Sequence, residues 1–498
     1  MTPAGPALHD NLRHFLTGCR QKVDLVRVLA HDPARMRSSI RFPSRLWPIL
    51  TAAALAGCVS IFNDPINQLT PDLGRTPIVL PEAPMGDDET IVGLGFSGGG
   101  TRAAAFAYGM LRELEATPIP GQPGRSLLDH VRFISGVSGG SVTAAYYGVK
   151  GKAGYHDLRE KFLIRDGEAT MRTNVGPVNL LRAFKGGVND QNTFGAWLDK
   201  NVFLGATFKD MWRPDRPVVW INASDLYNRT PFIFNRMTFE ALCSNLGDLP
   251  IADAVAASAA VPVIFAPIIL EVYGDTCFYE TPGWLARARS DPSAPSSLKD
   301  HARALEAYRD RGKLRYVKLV DGGLTDNFGV TGITLARAQS QTLFGPFTAK
   351  QAVKVKRVIY LVADASQTPD NKWATSVAGP NLPDLVMAST RPANNRPGRA
   401  GSGALRPAMR GWLDDLIEYR CSLSAAEVKK LRGSLDGWNC RDVKFFVSDI
   451  NAFDVDDATR IEFDKIKTRL KLPTEQVDYA IATGRKALRS DPIFLGAL

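Results

Sequence analysis

A serine flanked by glycines is the first feature of the sequence that could do chemistry. Ser138 stands in Gly136-Val137-Ser138-Gly139-Gly140, which fits the pattern G-x-S-x-G. In that pattern the glycines let the backbone turn sharply, so the serine hydroxyl projects from the end of a strand. The alternative is a glycine-rich turn whose serine only caps the next helix. The pattern predicts a nucleophile if a strand precedes the serine and a helix follows it.

A serine nucleophile needs a base, and histidine is scarce in this chain. After Ser138 only His156, typical of a solvated helix face, and His301, in a polar stretch, remain. A Ser–His–Asp triad is therefore poorly supported. Asp321 ends the apolar run YVKLVD and precedes two glycines, and an oriented, ionised carboxylate can act as the base. An ordinary Asp-Gly turn is the alternative interpretation of Asp321.

An acyl-transfer site also needs hydrogen-bond donors for a developing oxyanion. The stretch GFSGGGTR places Gly98, Gly99 and Gly100 at the start of a helix, where amide groups are free and the helix dipole favours negative charge. Gly139, directly after the serine, could add another donor. Arg102 falls in the first helical turn, where it could brace the loop or simply be solvated.

The same glycine stretch also matches the dinucleotide-binding pattern G-x-G-x-x-G at Gly93, Gly95 and Gly98. That pattern requires an acidic residue at the end of the next strand, about 20 residues further on. The next strand candidate, VRFIS, ends in serine and glycine instead. A nucleotide cofactor is therefore not predicted.

Strand and helix candidates alternate from residue 89 onward. The apolar runs suited to buried strands are 90–97, 131–138, 217–224, 316–321, 358–366 and 443–450. Short apolar runs separated by helical segments predict an α/β fold with a mainly parallel sheet and helices on both faces. Polar insertions are predicted near 270–314 and 367–406. The segments 459–472 and 474–488 each predict a surface helix with one apolar face.

Residues 36–58 have the composition of an export signal. Three arginines precede an apolar stretch that ends in Leu-Ala-Gly-Cys58. This order is typical of a secretory signal, and the ending resembles a bacterial lipobox, in which the cysteine is lipidated. A signal anchor is the alternative, because the apolar run continues to Phe62, although its 17 residues are few for a membrane span. A translation start at Met36 would explain the residues that precede the signal.

Charge and cysteine usage narrow the class of protein. The net charge is +10, of which residues 1–57 contribute +5 through eight Arg/Lys and three Asp. The rest of the chain is only mildly basic, and no basic run is interleaved with aromatics, so nucleic acid is not a predicted partner. The cysteines that remain apart from Cys19 and Cys58 match no zinc pattern and permit two local disulfides or buried free thiols; the pairs would be Cys243 with Cys277 and Cys421 with Cys440.

Taken in order, four blocks of the sequence resemble the patatin-like phospholipase family. They are GGGTR (98–102), GVSGG (136–140), AASAAVPVIFAP (256–267) and DGG (321–323). The stretch NASDLYNRTPFIF is similar to the family's middle strand pair, and the resemblance covers residues 89 to about 366. It implies a patatin-like three-layer fold. One departure is Asn327-Phe328-Gly329, where the family usually has Asn-x-Pro.

The resemblance implies a Ser–Asp dyad, which agrees with the scarcity of histidines. Ser138 would attack an ester carbonyl, Asp321 would accept its proton, and water would hydrolyse the acyl-enzyme. Gly98, Gly99 and Gly100 would form the oxyanion hole, with Arg102 supporting their loop and Ser258 beside the site. No metal or organic cofactor would be needed.

The expected protein is a lipid acyl hydrolase of phospholipase A or lysophospholipase type, anchored to the bacterial envelope. Its parts would be residues 1–57 with the signal, a lipidated proline-rich tether at 58–88, and an acyl hydrolase domain at 89–498. Val59 after the cysteine favours the outer membrane; the signal-anchor alternative would leave the domain in the periplasm. Alternative functions are an esterase, thioesterase or acyltransferase on another acyl group, or a non-catalytic envelope scaffold. The sequence predicts no oligomeric state, head group or acyl position.

Overall fold

The computed structural model describes residues 63–73, 89–119, 122–174, 176–368 and 405–498, together with positions 375, 377, 379 and 403. The predicted signal segment, Cys58, part of the predicted tether and most of the predicted insertion at 367–406 lie outside these residues. Within the described part of the chain, no helix is both long enough and apolar enough to cross a membrane.

A mixed sheet of eight strands forms the centre of the described structure, and two further strands pair separately. The strands are β1 Thr90–Phe96, β2 Val131–Val137, β3 Gly187–Asn189, β4 Val218–Asp225, β5 Thr230–Phe234, β6 Val263–Phe265, β7 Ile268–Glu271, β8 Tyr316–Asp321, β9 Arg357–Asp364 and β10 Lys444–Asn451. The large sheet has the order β10-β9-β1-β2-β4-β8-β7, with β5 paired to β4, and the small sheet pairs β3 with β6.

One half of the large sheet is parallel and the other half antiparallel. Strands β10, β9, β1, β2 and β4 run parallel to one another. Strands β5 and β8 run antiparallel to β4, and β7 runs antiparallel to β8. The six strands expected from apolar runs are confirmed, with small differences at their ends. The prediction of a mainly parallel α/β sheet is also confirmed, although the apolar runs did not reveal the antiparallel half.

Helices cover both faces of this sheet. They are α1 Gly100–Ala116, α2 Gly139–Gly154, α3 Pro177–Phe184, α4 Phe194–Leu198, α5 Arg236–Ala241, α6 Ile251–Ser258, α7 Gly283–Ser290, α8 Ser296–Ala307, α9 Thr331–Gln339, α10 Ala349–Lys354, α11 Leu405–Ser422, α12 Ala425–Arg432, α13 Asp457–Asp464, α14 Thr474–Ser490 and α15 Pro492–Ala497.

The alternation of side chains along the central strands divides the core into two clusters. Leu94 of β1 and Leu361 of β9 belong to a cluster that includes side chains of α1, α2 and α14. Ile91 and Tyr360, on the same two strands, belong to a second cluster with side chains of α9, α10 and α11. Strands buried on both faces need continuous apolar runs, which explains the runs seen in the sequence.

Residues 63–73 lie against the domain rather than forming a free tether. Asn63 Nδ2 donates to the carbonyl oxygen of Pro267 at 2.8 Å, and the amide of Ile66 donates to the carbonyl of Ile269 at 3.0 Å. Asn67 brackets Glu271, donating to its carbonyl at 2.9 Å and accepting from its amide at 2.7 Å. The tether prediction is therefore wrong for this segment, which we call the strap.

The predicted insertion at 270–314 is folded and contains α7 and α8. Its first residues belong to β7, and Cys277 within it forms a disulfide with Cys243. The buried hydroxyl of Tyr308 donates to Asp225 Oδ2 at 2.8 Å, which ties the insertion to the end of β4. The second local pair is also oxidised, between Cys421 and Cys440. Both disulfides therefore follow the pairing that the spacing permits.

Candidate active site

The Ser138 turn has the strand–turn–helix context that a nucleophile requires. Ser138 links β2 to α2 and has φ 51° and ψ −121°, a conformation that non-glycine residues rarely adopt. The neighbouring glycines permit this turn because the backbone packs tightly around it. A Cβ on Gly136 would lie 2.6 Å from Ser141 Cα, and one on Gly140 would lie 2.6 Å from the Phe96 carbonyl oxygen.

The serine hydroxyl is paired with the predicted carboxylate. Ser138 Oγ donates to Asp321 Oδ2 at 2.8 Å, and the other carboxylate oxygen accepts from the amide of Gly323 at 2.8 Å. Both side chains are buried. The two histidines lie in other surroundings, because His156 pairs with Glu115 at the surface and His301 stacks on Trp284.

The environment of Asp321 sets its proton affinity near neutral pH. Burial raises the pKa of this carboxyl group to about 6, and the hydrogen bonds from Gly323 and Ser138 oppose that rise. Desolvation penalises the charged form, whereas donors to the carboxylate stabilise it. At pH 7 the group is mostly ionised and can accept a proton, and its raised affinity suits a general base.

The sheet register explains how two residues so far apart in the chain come together. Strands β2 and β8 lie along the same edge of β4. Strand β5 pairs with the opposite edge, both where β4 pairs with β2 and where β4 pairs with β8. Val137 at the end of β2 pairs with Asn222, and Asp321 at the end of β8 pairs with the adjacent Ala223. Since β2 and β8 run in opposite directions, their carboxyl ends meet, and the serine and the aspartate face each other there.

Ser258 fixes the nucleophile turn from the neighbouring helix. It ends α6, and its hydroxyl accepts from the amide of Ser138 at 2.8 Å while donating to the carbonyl oxygen of Asn222 at 2.6 Å. Shortly after it, the carbonyl of Ala260 accepts from the amide of Asp321 at 2.9 Å. One short segment therefore holds the backbone of both Ser138 and Asp321.

The glycine turn before α1 packs directly against the nucleophile turn. Gly99 and Gly100 have φ of 141° and 62°, values that favour glycine. A Cβ on Gly139 would lie 2.0 Å from the carbonyl oxygen of Gly100. The amides of Gly99, Gly100 and Gly139 have no acceptor within the described ranges, whereas that of Gly98 donates to the Asn327 carbonyl at 3.1 Å. Gly98 therefore does not fit the predicted role of an oxyanion donor in this conformation.

Asn327 is a neighbour of the site whose position the sequence did not reveal. Its Oδ1 would lie 2.6 Å from a Cβ on Gly98 and 2.9 Å from a Cβ on Gly323. The Asn327 side chain thus fills the space between the glycine turn and the Asp321 turn. The sequence signal for an altered loop was the departure from Asn-x-Pro at residues 327–329. Gly329 has φ 67°, which proline cannot adopt.

Arg102 is buried and braces the glycine turn from behind. Its Nε donates to the carbonyl of Ala365 at 3.1 Å, and its Nη1 donates to the carbonyl of Ile466 at 2.7 Å and to Thr468 Oγ1 at 3.0 Å. The interpretation as a solvated helix arginine is therefore wrong. These contacts also explain why the helix predicted over 459–472 stops at Asp464, since the residues that follow it turn inward to meet α1.

The carbonyl oxygen of Arg469 accepts from the amide of Thr101 at 2.8 Å, which adds a backbone contact between this C-terminal segment and the first turn of α1.

In the described part of the chain, no group of His, Cys, Asp and Glu side chains is arranged to hold a metal ion.

The region that holds this geometry also matches a known family. Residues 94–333 match the family model described as patatin-like phospholipase. The chain contains a patatin-like phospholipase domain. The match spans the glycine turn, Ser138 and Asp321, and it supports lipid acyl hydrolysis as the general class of activity. No curated protein matches the chain.

Two solved structures resemble the chain at low similarity. Human GIVD cytosolic phospholipase A2 has 12% identity and a TM-score of 0.35, with 86% of this chain and 67% of that chain covered. VipD from Legionella pneumophila has 11% identity and a TM-score of 0.30, with 88% and 71% covered. At these TM-scores the resemblance adds nothing to the assignment of activity.

Proposed function

We propose that the patatin-like domain is a lipid acyl hydrolase of phospholipase A or lysophospholipase type that uses Ser138 and Asp321 as a dyad. The observation that carries the proposal is the 2.8 Å hydrogen bond from Ser138 Oγ to Asp321 Oδ2, formed on a strained turn inside the matched domain. A nucleophile and a base within hydrogen-bond reach, with the base oriented by a third group, form the arrangement needed for covalent catalysis. Here the amide of Gly323 is the orienting group.

In the first half of the reaction Ser138 Oγ forms a bond to the ester carbonyl carbon, and its proton passes to Asp321. The carbonyl electron pair moves onto oxygen as the oxyanion develops. Collapse of this intermediate breaks the bond to the leaving alkoxide, which takes the proton from Asp321. In the second half, water attacks the acyl-serine while Asp321 again accepts a proton. The bond from the acyl carbon to Ser138 Oγ then breaks, Asp321 returns the proton to Oγ, and the fatty acid is released.

The oxyanion would be bound where two helices begin. Gly100 is the first residue of α1 and Gly139 the first residue of α2, and their backbones are in contact. Their amides and that of Gly99 have no acceptor among the residues that the structure describes. Two helix amino termini side by side favour negative charge through their free amides and their dipoles.

Envelope anchoring completes the proposal. The lipobox-like sequence before Cys58 supports a lipid anchor, and Val59 after it favours an outer-membrane location. Globomycin treatment of expressing bacteria tests the anchor, because inhibition of lipoprotein signal cleavage should increase the mass of the protein. Unchanged processing, or a Cys58→Ser protein that still partitions like wild type, would contradict lipidation at Cys58.

Labelling with a fluorophosphonate probe tests the dyad directly. Wild type, Ser138→Ala and Asp321→Asn would be labelled and then assayed on phospholipid vesicles in the presence of a calcium chelator. We expect labelling to be abolished in the serine variant and much reduced in the aspartate variant, with fatty acid release falling in parallel. Asp253→Asn is the matched control, because Asp253 is another carboxyl whose pKa burial raises to about 6.

The outcomes separate the alternative functions. Labelling of Ser138 without release of fatty acid from phospholipid would move the substrate to another acyl ester or thioester. A well-folded wild type that is not labelled would indicate a scaffold that has lost its chemistry. Equal labelling of Asp321→Asn and wild type would overturn the role of the aspartate as base.

A further inference from the structure

Helix α3 presents its apolar side chains to solvent. Phe184 is 83% exposed and Leu180 is 56% exposed, and Val178 and Leu181 are exposed as well. The buried side chain of this helix is the polar Asn179. A surface helix of a globular protein normally shows the reverse pattern, so an exposed apolar face of this kind marks an interaction site.

Polar contacts on the inner side of α3 connect the helix to the segment that precedes it. Asn179 Nδ2 donates to the carbonyl oxygen of Asn174 at 2.8 Å and to its side-chain oxygen at 2.5 Å. Arg182 Nη1 donates to Asn179 Oδ1 at 3.4 Å. Asn179 is therefore held on the inner side of α3, and the apolar side chains of the helix face outward.

Strand β6 extends this apolar surface. Helix α3 packs against β3 and β6, and Ile264 of β6 is exposed. Asn189 of β3 donates from its side chain to the Ile264 carbonyl at 3.1 Å, which fixes β6 beside β3. We call the exposed side chains of α3 together with Ile264 the apolar face.

The apolar face lies close to the catalytic pair along the chain. Ala260, whose carbonyl accepts from the amide of Asp321, stands only three residues before β6 begins at Val263. Ser258, which holds the amide of Ser138, stands five residues before β6. The apolar face is therefore joined through a few residues of chain to the segment that holds the backbone of Ser138 and Asp321.

The start of the strap lies beside the strands that adjoin the apolar face. Asn63, the first residue of the strap, donates to Pro267 just after β6 and accepts from the amide of Gln191 just after β3, at 2.8 Å in both cases. Cys58 precedes Asn63 by five residues, a length of chain that spans at most about 18 Å. A lipid on Cys58 would thus enter a bilayer near the apolar face.

The charge of this segment suits an anionic surface. Between residues 171 and 188 the chain contains three basic residues and no Asp or Glu, and one of the three, Arg172, is paired with Asp190 just beyond this segment. Arg182 lies in the last turn of α3, and the exposed Lys185 follows the helix directly. A short amphipathic element with apolar side chains outward and basic residues beside them is typical of an interfacial membrane contact.

We propose that the apolar face inserts into the surface of an anionic phospholipid bilayer and holds the candidate active site against it. The proposal rests on the proposed function for its benefit, since docking at this position delivers ester bonds to Ser138. Apolar side chains supply burial in the lipid, while the excess of basic over acidic residues in this segment adds attraction to anionic head groups.

A fluorophore on the apolar face reports whether this face enters the bilayer. The result does not depend on which part of the chain first binds the membrane. Phe184→Cys would be labelled with nitrobenzoxadiazole in the full chain carrying Cys19→Ser, Cys58→Ser and Ser138→Ala, since the other cysteines are in disulfides. Vesicles of phosphatidylglycerol and phosphatidylethanolamine should shift the emission to the blue. Leu495→Cys is the matched control. Leu495 is 52% exposed on α15. The last residue of this helix, Ala497, accepts a hydrogen bond from Arg357 at the amino end of β9, whereas the candidate active site lies at the carboxyl ends of the strands.

Two results would overturn the proposal. The label at position 184 could remain unshifted while the control label shifts, which would place another surface in the bilayer. The label at 184 could instead be shifted already without vesicles, which would show that protein covers the face. In the second case, light scattering would distinguish a second copy, whose association Phe184→Asp should abolish, from another segment of the same chain.

Kinetics then separate a failed proposal from a failed function. We expect Leu180→Asp/Phe184→Asp to hydrolyse phosphatidylglycerol vesicles at least tenfold more slowly than wild type, with unchanged hydrolysis of soluble p-nitrophenyl butyrate. Leu495→Asp should match wild type on both substrates. Equal vesicle rates in wild type and the double variant would overturn the membrane contact. A wild type that is inactive on both substrates would overturn the proposed function instead.

Discussion

The hydroxyl oxygen of Ser258 lies 2.8 Å from the amide nitrogen of Ser138 and accepts a hydrogen bond from it. The same hydroxyl donates to the carbonyl oxygen of Asn222 at 2.6 Å, so α6 is connected to both the nucleophile turn and β4. A turn with φ 51° at a serine persists only where the surroundings hold it. Ser258 is one of the groups that hold it.

Replacement of Ser258 by alanine should therefore weaken catalysis without removing the nucleophile. We expect kcat to fall about 10- to 100-fold, because small displacements of a nucleophile cost this much, while KM changes little. The amide of Ser138 would lose its partner in a buried environment, at a cost of about 1–3 kcal/mol in the free energy of unfolding. Steady-state kinetics and thermal unfolding measure both effects. A kcat equal to that of wild type would show that the Ser138 turn keeps its conformation without the hydroxyl of Ser258.

The activity should depend on one ionisation near pH 6. Burial raises the pKa of Asp321 to about 6, and only the ionised carboxylate can take the proton of Ser138. The rate should thus fall about tenfold per pH unit below this value and level off above it. A profile of kcat/KM on a soluble ester measures this. Asp253→Asn should keep the acid limb, although Asp253 has a similarly raised pKa.

Asp321→Asn should stabilise the protein while it removes activity. The folded-state pKa of Asp321 is raised above its ordinary value of 3.8, so the native state binds the proton more tightly than the unfolded state. The buried charge therefore destabilises the native state increasingly as the pH rises from about 4 to 6. The full penalty is roughly 3 kcal/mol at 1.36 kcal/mol per pKa unit.

Thermal unfolding at two pH values tests this sign. We expect Asp321→Asn to melt at a higher temperature than wild type at pH 8, with a smaller difference at pH 4.5, where the wild-type carboxyl is largely protonated in the native state. A difference that grows towards acid would contradict the assignment. Ser138→Ala should not reproduce the pH dependence, because it leaves the carboxyl in place.

Restoring the family's usual proline at position 329 should damage this protein. Gly329 has φ 67°, and its amide donates to Asp326 Oδ1 at 3.0 Å. Proline fixes φ near −65° and has no amide hydrogen, so Gly329→Pro should cost about 3 kcal/mol or more and reduce activity through the adjacent Asn327.

Gly329→Ala is the milder comparison for that change. Alanine keeps the amide hydrogen, but its Cβ would lie 2.9 Å from Ser135 Oγ and would have a strained φ. Chemical denaturation should therefore order the proteins as wild type, alanine variant and proline variant, from most to least stable. A proline variant at least as stable as wild type would show that this loop can adopt the family's conformation.

The pairing of Ser138 with Asp321 was within reach of the sequence, and the reason is chemical. A glycine-flanked serine after an apolar run leaves few candidate bases when histidines are scarce, and the family blocks supply the order. The surroundings were not within reach, because they depend on contacts between distant segments. The amide of Gly98 donates a hydrogen bond to the carbonyl of Asn327, and Arg102 is buried by residues that follow α13. Periodicity cannot show either contact.

The topology illustrates the same limit. Apolar runs located six strands, since buried strands need them, but short β7 and the direction of β8 left no clear pattern. The proline content of residues 59–88 suggested a tether, and prolines do interrupt regular structure. The side chains of Asn63 and Asn67 nevertheless bind specific backbone groups of the domain. Polar residues that satisfy backbone groups elsewhere in a fold carry no periodic signal.

The strap has a practical consequence for any shortened form of the protein. Strand β7 is the last strand of the large sheet, and the strap lies along its outer edge through the pairing of Pro65 with Ile269. An uncovered edge strand offers its amides and carbonyls to other chains and promotes aggregation. A fragment that begins at residue 89 would expose this edge, whereas one that begins at Asn63 would keep it covered. The boundary for soluble expression therefore lies before the strap.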